Sequence, residues 1–414
     1  MNKIKSFLQK ETSKNVGYIG LSKGFSILLG FSTIALSARG LGVKQFGVLA
    51  LFISFTELGN IIGLPGFNPI LNKALHRKDY SFYREAYRYS ILASITLGIF
   101  VAGALFLLYH FGGILDFKTF KLAIFALIFS GVRNLDKSDA VLTAVHRFKQ
   151  LSVISFLSSL SRFIGVGITG YLSKDIFIVI ISYTLCQSVV SFISLYNVRK
   201  ILVQFPKTFN IQNYLKESIK MNVVEFFNIG VAQIDKLILY TLSPTTLGIF
   251  QAGFSYPDKI KDVLLTLMSV IQNSWLTYGN NEFIKRTKQN ALMAMTFMIA
   301  GFIALYVATP YYIPILLGVE YIDAIPFARL ATFIILLRVI NSFFASRDIV
   351  YGEISRYQKK IVLFKIVYLI LLFLLIERYN IYGIMIAMIV ADIVCLFTLL
   401  YDFKVYPEPQ GNAL

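Results

Sequence analysis

Ionisable side chains recur inside stretches of this sequence that are otherwise apolar. In the first half they are Lys23, Glu57, Arg133, Asp136, Lys137, Asp139 and Arg162. In the second they are Glu225, Asp235, Lys236, Asp258, Lys259, Lys261, Asp262, Arg338, Lys365 and Asp392. A charge at the middle of a bilayer costs about 2.5–3.5 kcal/mol on the insertion scale, so each needs a partner or a wet cavity. So many of them argue for a polar path through the molecule, since a simple anchor would carry few. The cations suit phosphate. Arginine presents a planar fork of donors that matches phosphate oxygens, which makes Arg133, Arg162 and Arg338 candidates, with Lys23 beside them. Arg133 shares a helical face with Asp136 and Lys137 at i, i+3 and i+4 spacing, so neutralisation by Asp136 and Asp139 is the alternative. Arg162 has no carboxylate within a turn of sequence, which points to a substrate or a distant partner. Lys23 either lines the path or snorkels to the interface. The carboxylates suit ion exchange. A buried carboxylate can exchange a proton in the physiological range, and Glu57, Asp258, Asp235 and Asp136 are the candidates. A salt bridge to a cation on a neighbouring helix is the alternative for Glu57 and Asp258.

Glu57 and Asp258 are linked by more than chemistry. Sliding the segment 231–260, VAQIDKLILYTLSPTTLGIFQAGFSYPDKI, back by 201 positions lays Leu242 on Leu41, Leu247 on Phe46 and Gly248 on Gly47. Ile249 then meets Val48, Phe250 meets Leu49, Ser255 meets Ser54 and Asp258 meets Glu57. Arg338 falls 205 positions after Arg133. One offset of about half the chain implies two related halves. Each copy reads as a helix end, a tight turn (Ser243-Pro244-Thr245-Thr246 in the second) and a helix start.

The elements that carry these groups are set by composition. Apolar residues make up 56% of 414 and charged residues 15%, against about 25% charged in soluble domains. The apolar runs reach roughly 20 residues, enough to cross a bilayer as helices. The expectation is an all-α integral membrane protein of twelve spans: 15–38, 46–72, 89–110, 119–144, 150–171, 176–198, 218–242, 247–275, 289–309, 322–346, 358–376 and 381–402. With the N-terminus inside, 23 Lys and Arg fall in inside segments and 6 outside, namely Arg39, Lys44, Lys118, Lys121, Lys174 and Arg378. That asymmetry satisfies the positive-inside rule and puts both termini in the cytoplasm. It also accounts for the net charge of +18, because the bases are dispersed among loops and offer no nucleic-acid face.

Three domains follow: a six-helix lobe over 1–198, a cytoplasmic linker over 199–217 and a second six-helix lobe over 218–414. Even span numbers make the halves parallel repeats about an axis along the membrane normal. The first run lacks a cleavage-site pattern and is expected to stay as an anchor; Ile4, Phe7 and Leu8 before it suit an interfacial helix or a basic tail. Gly59 to Pro69, Gly165 to Gly170 and Pro310 to Gly318 are read as helix breaks, with close packing at Gly59 and Gly63 as the alternative. Cys186, Cys395, His76, His110 and His146 show no metal-ligand spacing, and no phosphate-binding nucleotide loop or hydrolytic triad is present. No cofactor and no catalytic activity are expected.

Four stretches, ARGLGVKQFGVLAL at 38–51, the 233–260 hairpin, TPYYIPILLGVEYIDAIPFARL at 309–330 and ERYNIYGIMIAMIVAD at 377–392, occur in the order found in a known family. The sequence resembles the Wzx-type oligosaccharide flippases of polysaccharide biosynthesis, in the superfamily that includes multidrug and toxin extruders. The resemblance implies two six-helix lobes in a V around a central cavity, working by alternating access. It implies a substrate of undecaprenyl diphosphate-linked oligosaccharide, an O-antigen or capsule repeat unit, moved to the outer leaflet of the bacterial inner membrane. Arg133, Arg162, Lys23 and Arg338 would meet the diphosphate, with H+ or Na+ as the coupling ion and a polymerase and chain-length regulator as partners. Twelve spans, without a thirteenth and fourteenth, set the chain apart from the lipid II branch. An extruder of organic cations on the same fold, which would need unpaired carboxylates, and a non-transport component of a polysaccharide assembly are the competing readings.

Overall fold

A computed structural model describes residues 2–65, 80–110, 117–134, 141–142, 147–202, 212–277, 280–351 and 354–405. Asp136, Lys137, Asp139, His76, His146 and residues 203–211 of the expected linker lie outside them. The helices, numbered here in chain order, are α1 (Asn2–Asn60), α2 (Tyr80–His110), α3 (Phe117–Asn134), α4 (Phe148–Arg162), α5 (Thr169–Ser173), α6 (Ile176–Leu202), α7 (Gln212–Leu242), α8 (Pro244–Thr277), α9 (Asn280–Leu316), α10 (Ile325–Tyr351) and α11 (Ile354–Val405). No strand occurs among the described residues.

Two of these helices are hairpins in disguise. α1 breaks at Gly42 (φ 70°, ψ 168°) and α11 at Asn380 (φ 49°, ψ −125°). A positive φ is costly for residues with a side chain, and glycine and asparagine tolerate it best. Dividing α1 and α11 there, and reading α4 with α5 as one span, gives each of the twelve expected spans a helix among its described residues. Among the described residues, six stretches are long and apolar enough to cross a membrane, including 20–63, 176–201 and 359–401. Large apolar side chains such as Phe100, Leu172 and Leu374 face outward, as lipid contact requires. The protein is an all-helical, multi-pass membrane protein.

The chain forms two compact units, Met1–Leu237 and Ile238–Leu414. In the first, Phe52 of α1, Phe129 of α3 and Tyr183 of α6 meet ring to ring, with Phe129 and Tyr183 5.1 Å apart. Glycines let the backbones close in. A Cβ on Gly59 would fall on Ser130, and one on Gly63 on Asn134, while Asn134 Nδ2 donates to the Gly59 carbonyl at 3.1 Å. Gly59 and Gly63 therefore serve close packing of α1 on α3, and the helix ends just beyond, at Leu64 (φ 52°). After α4 the backbone widens into a π-turn over Phe163–Ile168. Its Gly165 abuts the Tyr183 backbone and its Gly167 that of Thr33. In the second unit, Gly253 of α8 packs on Phe327 and Ala328 of α10, and Gly383 on the Leu375 carbonyl across the Asn380 hairpin.

The repeat seen in the sequence is a repeat of structure. Gly42 and Ser243, 201 apart, both stand at the hairpin turn. Phe46 and Leu247 are buried, as are Leu49 and Phe250. Ser54 Oγ donates to the Ala50 carbonyl at 2.9 Å and Ser255 Oγ to that of Gln251 at 2.5 Å. Hydroxyls that bond the preceding turn are satisfied within their own helix.

Candidate functional site: charges inside the spans

In the first unit Arg133 and Glu57 find each other. Arg133 Nη1 of α3 lies 3.0 Å from Glu57 Oε1 of α1, and Asn60 Nδ2 donates to Glu57 Oε2 at 2.8 Å. Both side chains are about one-third open, at 33% and 37%. A cation read as a phosphate grip and an acid read as an ion exchanger are thus one neutralised pair. Asp136 and Asp139, the other acids considered for Arg133, are outside the described residues.

In the second unit the same positions are wired differently. Lys261 Nζ, placed as Asn60 is in the first copy, donates to Asp258 Oδ1. Arg338 of α10 turns instead to Asp392 of α11, with Nε 3.2 Å from Oδ2. Asn341 Nδ2 donates to the Asp392 carbonyl at 2.9 Å. The Asp392 side chain is only 5% exposed. Lys365 and Lys261 act on Asp392 electrostatically, and Arg338 on Asp258, so these charges form one network. Lys259 and Asp262 pair at 3.5 Å along α8. Back in the first unit, near its end, Asp235 of α7 is buried and accepts the Lys236 backbone N–H at 2.7 Å, while Lys236 Nζ donates to Gln233 Oε1 at 3.0 Å.

Two expected cations remain outside these pairs. Arg162 and Lys23 are exposed and make no hydrogen bond or ion pair among the described residues. They stand on helices that run side by side. Ser22 Oγ donates to the Ser152 carbonyl at 2.8 Å, and the rings of Phe25 and Phe156 meet edge to face at 6.1 Å. At 1.5 Å per residue, that register puts Lys23 roughly 13 Å along the axis from Arg162. Next to Arg162, Ser161 Oγ donates to Gln187 Oε1 at 2.8 Å and Gln187 Nε2 to Ser158 Oγ at 2.9 Å. This fully bonded cluster ties α4 to α6 and fixes the base of the arginine. Sequence reasoning missed Gln187, because an amide in an apolar run carries no charge to flag it. It also missed Arg329 of α10, whose guanidinium lies over the Tyr306 ring of α9 at 4.9 Å.

A model of the polysaccharide biosynthesis protein family matches residues 12–272. The chain belongs to that family. The matched region takes in the whole charge constellation of the first unit and the hairpin of the second. No curated protein matches the sequence. Among solved structures, the chain is similar to the lipid II flippase MurJ in an inward closed conformation. That match has a TM-score of 0.72 at 16% identity over 94% of this chain and 87% of that one. It is also similar to an inward-facing multidrug resistance MATE family transporter of the MOP superfamily, with TM-score 0.64 and 13% identity over 91% and 94%. A MOP superfamily transporter from Pyrococcus furiosus Vc1 (DSM3638) matches with TM-score 0.61 and 11% identity over 94% and 96%. At such identities the likeness is one of fold. This member of the polysaccharide biosynthesis family is built on the helical fold of MOP transporters.

Proposed function

We propose that the protein flips undecaprenyl diphosphate-linked oligosaccharide from the cytoplasmic to the outer leaflet of the bacterial inner membrane, supplying O-antigen or capsule synthesis. The observation that carries this reading is Arg162, a guanidinium near the middle of the apolar stretch 148–173 with no counter-charge among the described residues, in a family of polysaccharide biosynthesis. A diphosphate crossing about 30 Å of hydrocarbon needs its charge met on the way. Arg162, next to the Ser158–Gln187–Ser161 cluster in sequence, and Lys23 on the adjoining helix are suited to meet it. The polyprenyl tail needs no such help and stays in lipid while the sugars follow the polar path by alternating access.

Glu57, Asp258, Asp235 and Asp392 all hold a basic or hydrogen-bonding partner, which disfavours an extruder of organic cations. Coupling to H+ or Na+ would then act by breaking one of these pairs, with Glu57 and Asp258 the first candidates. A polymerase and a chain-length regulator are the partners that such a product requires, and both termini would face the cytoplasm.

Arg162→Ala is expected to lower surface polysaccharide at least tenfold at unchanged protein in the membrane, and Arg162→Lys to recover part of it. Wild-type polysaccharide from Arg162→Ala would sink the reading.

A further inference from the structure

Between Ala140 and Lys216 the sequence holds one acid, Asp175. That acid caps the start of α6, where its Oδ1 accepts the Phe177 backbone N–H at 2.8 Å. The far end of α6 carries Arg199 and Lys200, and α4 begins with Arg147 and Lys149. Gly165 abuts the Tyr183 backbone and Ser161 bonds Gln187, so α4 and α6 run antiparallel. Counted from Ser161 and Gln187 at 1.5 Å per residue, Arg147 and Lys200 each lie roughly 20 Å along, at one level. All four bases are exposed. Arg147, Lys149 and Arg199 make no hydrogen bond or ion pair among the described residues. Other basic inner segments interleave acids, with Glu11, Asp79, Glu85, Glu217, Glu282 and Glu353 among their lysines and arginines. At the α4–α6 end neither helix supplies an acid, so its charge exceeds what the positive-inside asymmetry alone would explain.

One face of α6 joins this charge to hydrocarbon. Leu185, Val189, Phe192 and Tyr196 follow one another at helical spacing and are exposed, while Gln187 on the other side is bonded to α4. One turn further on, the same exposed face reaches Arg199 and Lys200. The Lys200 ammonium lies over the Tyr196 ring, 4.3 Å from its centre. The lysine stem thus follows the apolar face and its head stops at the last ring. An aromatic ring carries no net charge, so the bases still call for an anion. A lipid with a net negative headgroup answers both parts, whereas a zwitterionic headgroup brings a cation of its own to the bases.

We propose that the Tyr196–Lys200 end of α6 binds the phosphate of an anionic glycerophospholipid such as phosphatidylglycerol, whose acyl chains lie along Leu185, Val189 and Phe192. Lys200, positioned on Tyr196, donates to the phosphate, and Arg199 adds a second cation. Arg147 and Lys149 hold the same level on α4 and favour the anionic form of headgroup over the neutral one. The site stands apart from Arg162 and from any transported molecule. In the expected orientation it faces the inner leaflet, and the lipid fastens α6 where the chain leaves it.

The test places the full-length protein in nanodiscs of phosphatidylglycerol and phosphatidylcholine in equal amounts, and native mass spectrometry reads the lipids retained. The wild type is expected to retain phosphatidylglycerol in preference. A basic residue at the surface strengthens attraction to anionic lipid roughly fivefold, so Arg199→Gln with Lys200→Gln should lower that preference at least tenfold. These side chains are exposed, so the fold does not depend on them. Tyr196→Leu keeps the charge and loses the platform, and a smaller fall is expected. Lys285→Gln with Arg286→Gln removes equal charge from a segment that contains Glu282 and should leave the preference unchanged. An unaltered preference in the Arg199/Lys200 variant overturns the site. An equal fall in the Lys285/Arg286 variant reduces it to overall charge, and displacement of phosphatidylglycerol by equimolar undecaprenyl phosphate overturns the choice of a glycerophospholipid.

Discussion

Glu57 in the first unit and Asp258 in the second occupy one position of a repeated hairpin, yet they are neutralised by different means. Glu57 reaches across to Arg133, 76 residues away in sequence, and so ties α1 to α3. Asp258 is satisfied by Lys261, three residues on in its own helix. That local pair releases Arg338 to bridge α10 and α11 through Asp392. Gly40 and Thr241, also 201 apart, diverge in the same way. A Cβ on Gly40 would strike the Gly170 carbonyl and the Tyr171 backbone, whereas Thr241 is exposed. Duplication preserved the turn, the buried apolar positions and the carboxylate. The helix that each charge fastens has changed, so one unit is cross-linked between its second and fourth spans and the other between its tenth and twelfth.

Three substitutions can break this contrast. Asp392→Ala is expected to be the most damaging, because it strands Arg338 against a buried site; the loss should be about 3 kcal/mol, at the low end for a buried pair since Arg338 is partly open. Thermal unfolding of the detergent-solubilised protein would show it, and a Tm within a degree of wild type would mean that α10 and α11 do not depend on the bridge. Glu57→Gln should cost less, about 1 kcal/mol, as both partners are one-third open and solvent screens them. A double-mutant cycle with Arg133→Gln measures that coupling directly; zero coupling would remove the distinction between the units. Asp258→Asn is expected to change stability least, about 0.3–0.5 kcal/mol for a pair within one helix. A loss as large as that of Asp392→Ala would show Arg338 to be shared between the two acids.

The sequence made the repeat visible because hairpin turns and buried positions are local properties, written at one offset. Gly42 and Ser243 could be aligned without knowing what either packs against. Partners were less legible. Helical spacing offers Arg133 only Asp136, Asp139 and the like, while its actual partner is on another helix. Arg162 could be singled out from its lack of neighbouring acids, and that property survives in three dimensions. Arg329 escaped notice although it stands inside the stretch 309–330, because its stacking partner, the Tyr306 ring, lies on another helix. Arg133→Ala is for the same reason a poor probe of phosphate binding, since it also frees Glu57.

The π-turn at Phe163–Ile168 begins at the residue after Arg162. Such a turn accommodates one residue more than an α-helical path of the same length. Each residue advances an α-helix by about 100°, so the turn works as a phase shifter between the halves of the fifth span. The C-terminal half keeps its glycines on Thr33, Ser37 and Tyr183, while the N-terminal half sets the direction of Arg162 through the bonds of Ser158 and Ser161 to Gln187. Loss of one residue at this point would leave the glycine seam in register and swing the guanidinium by more than a quarter turn around the helix.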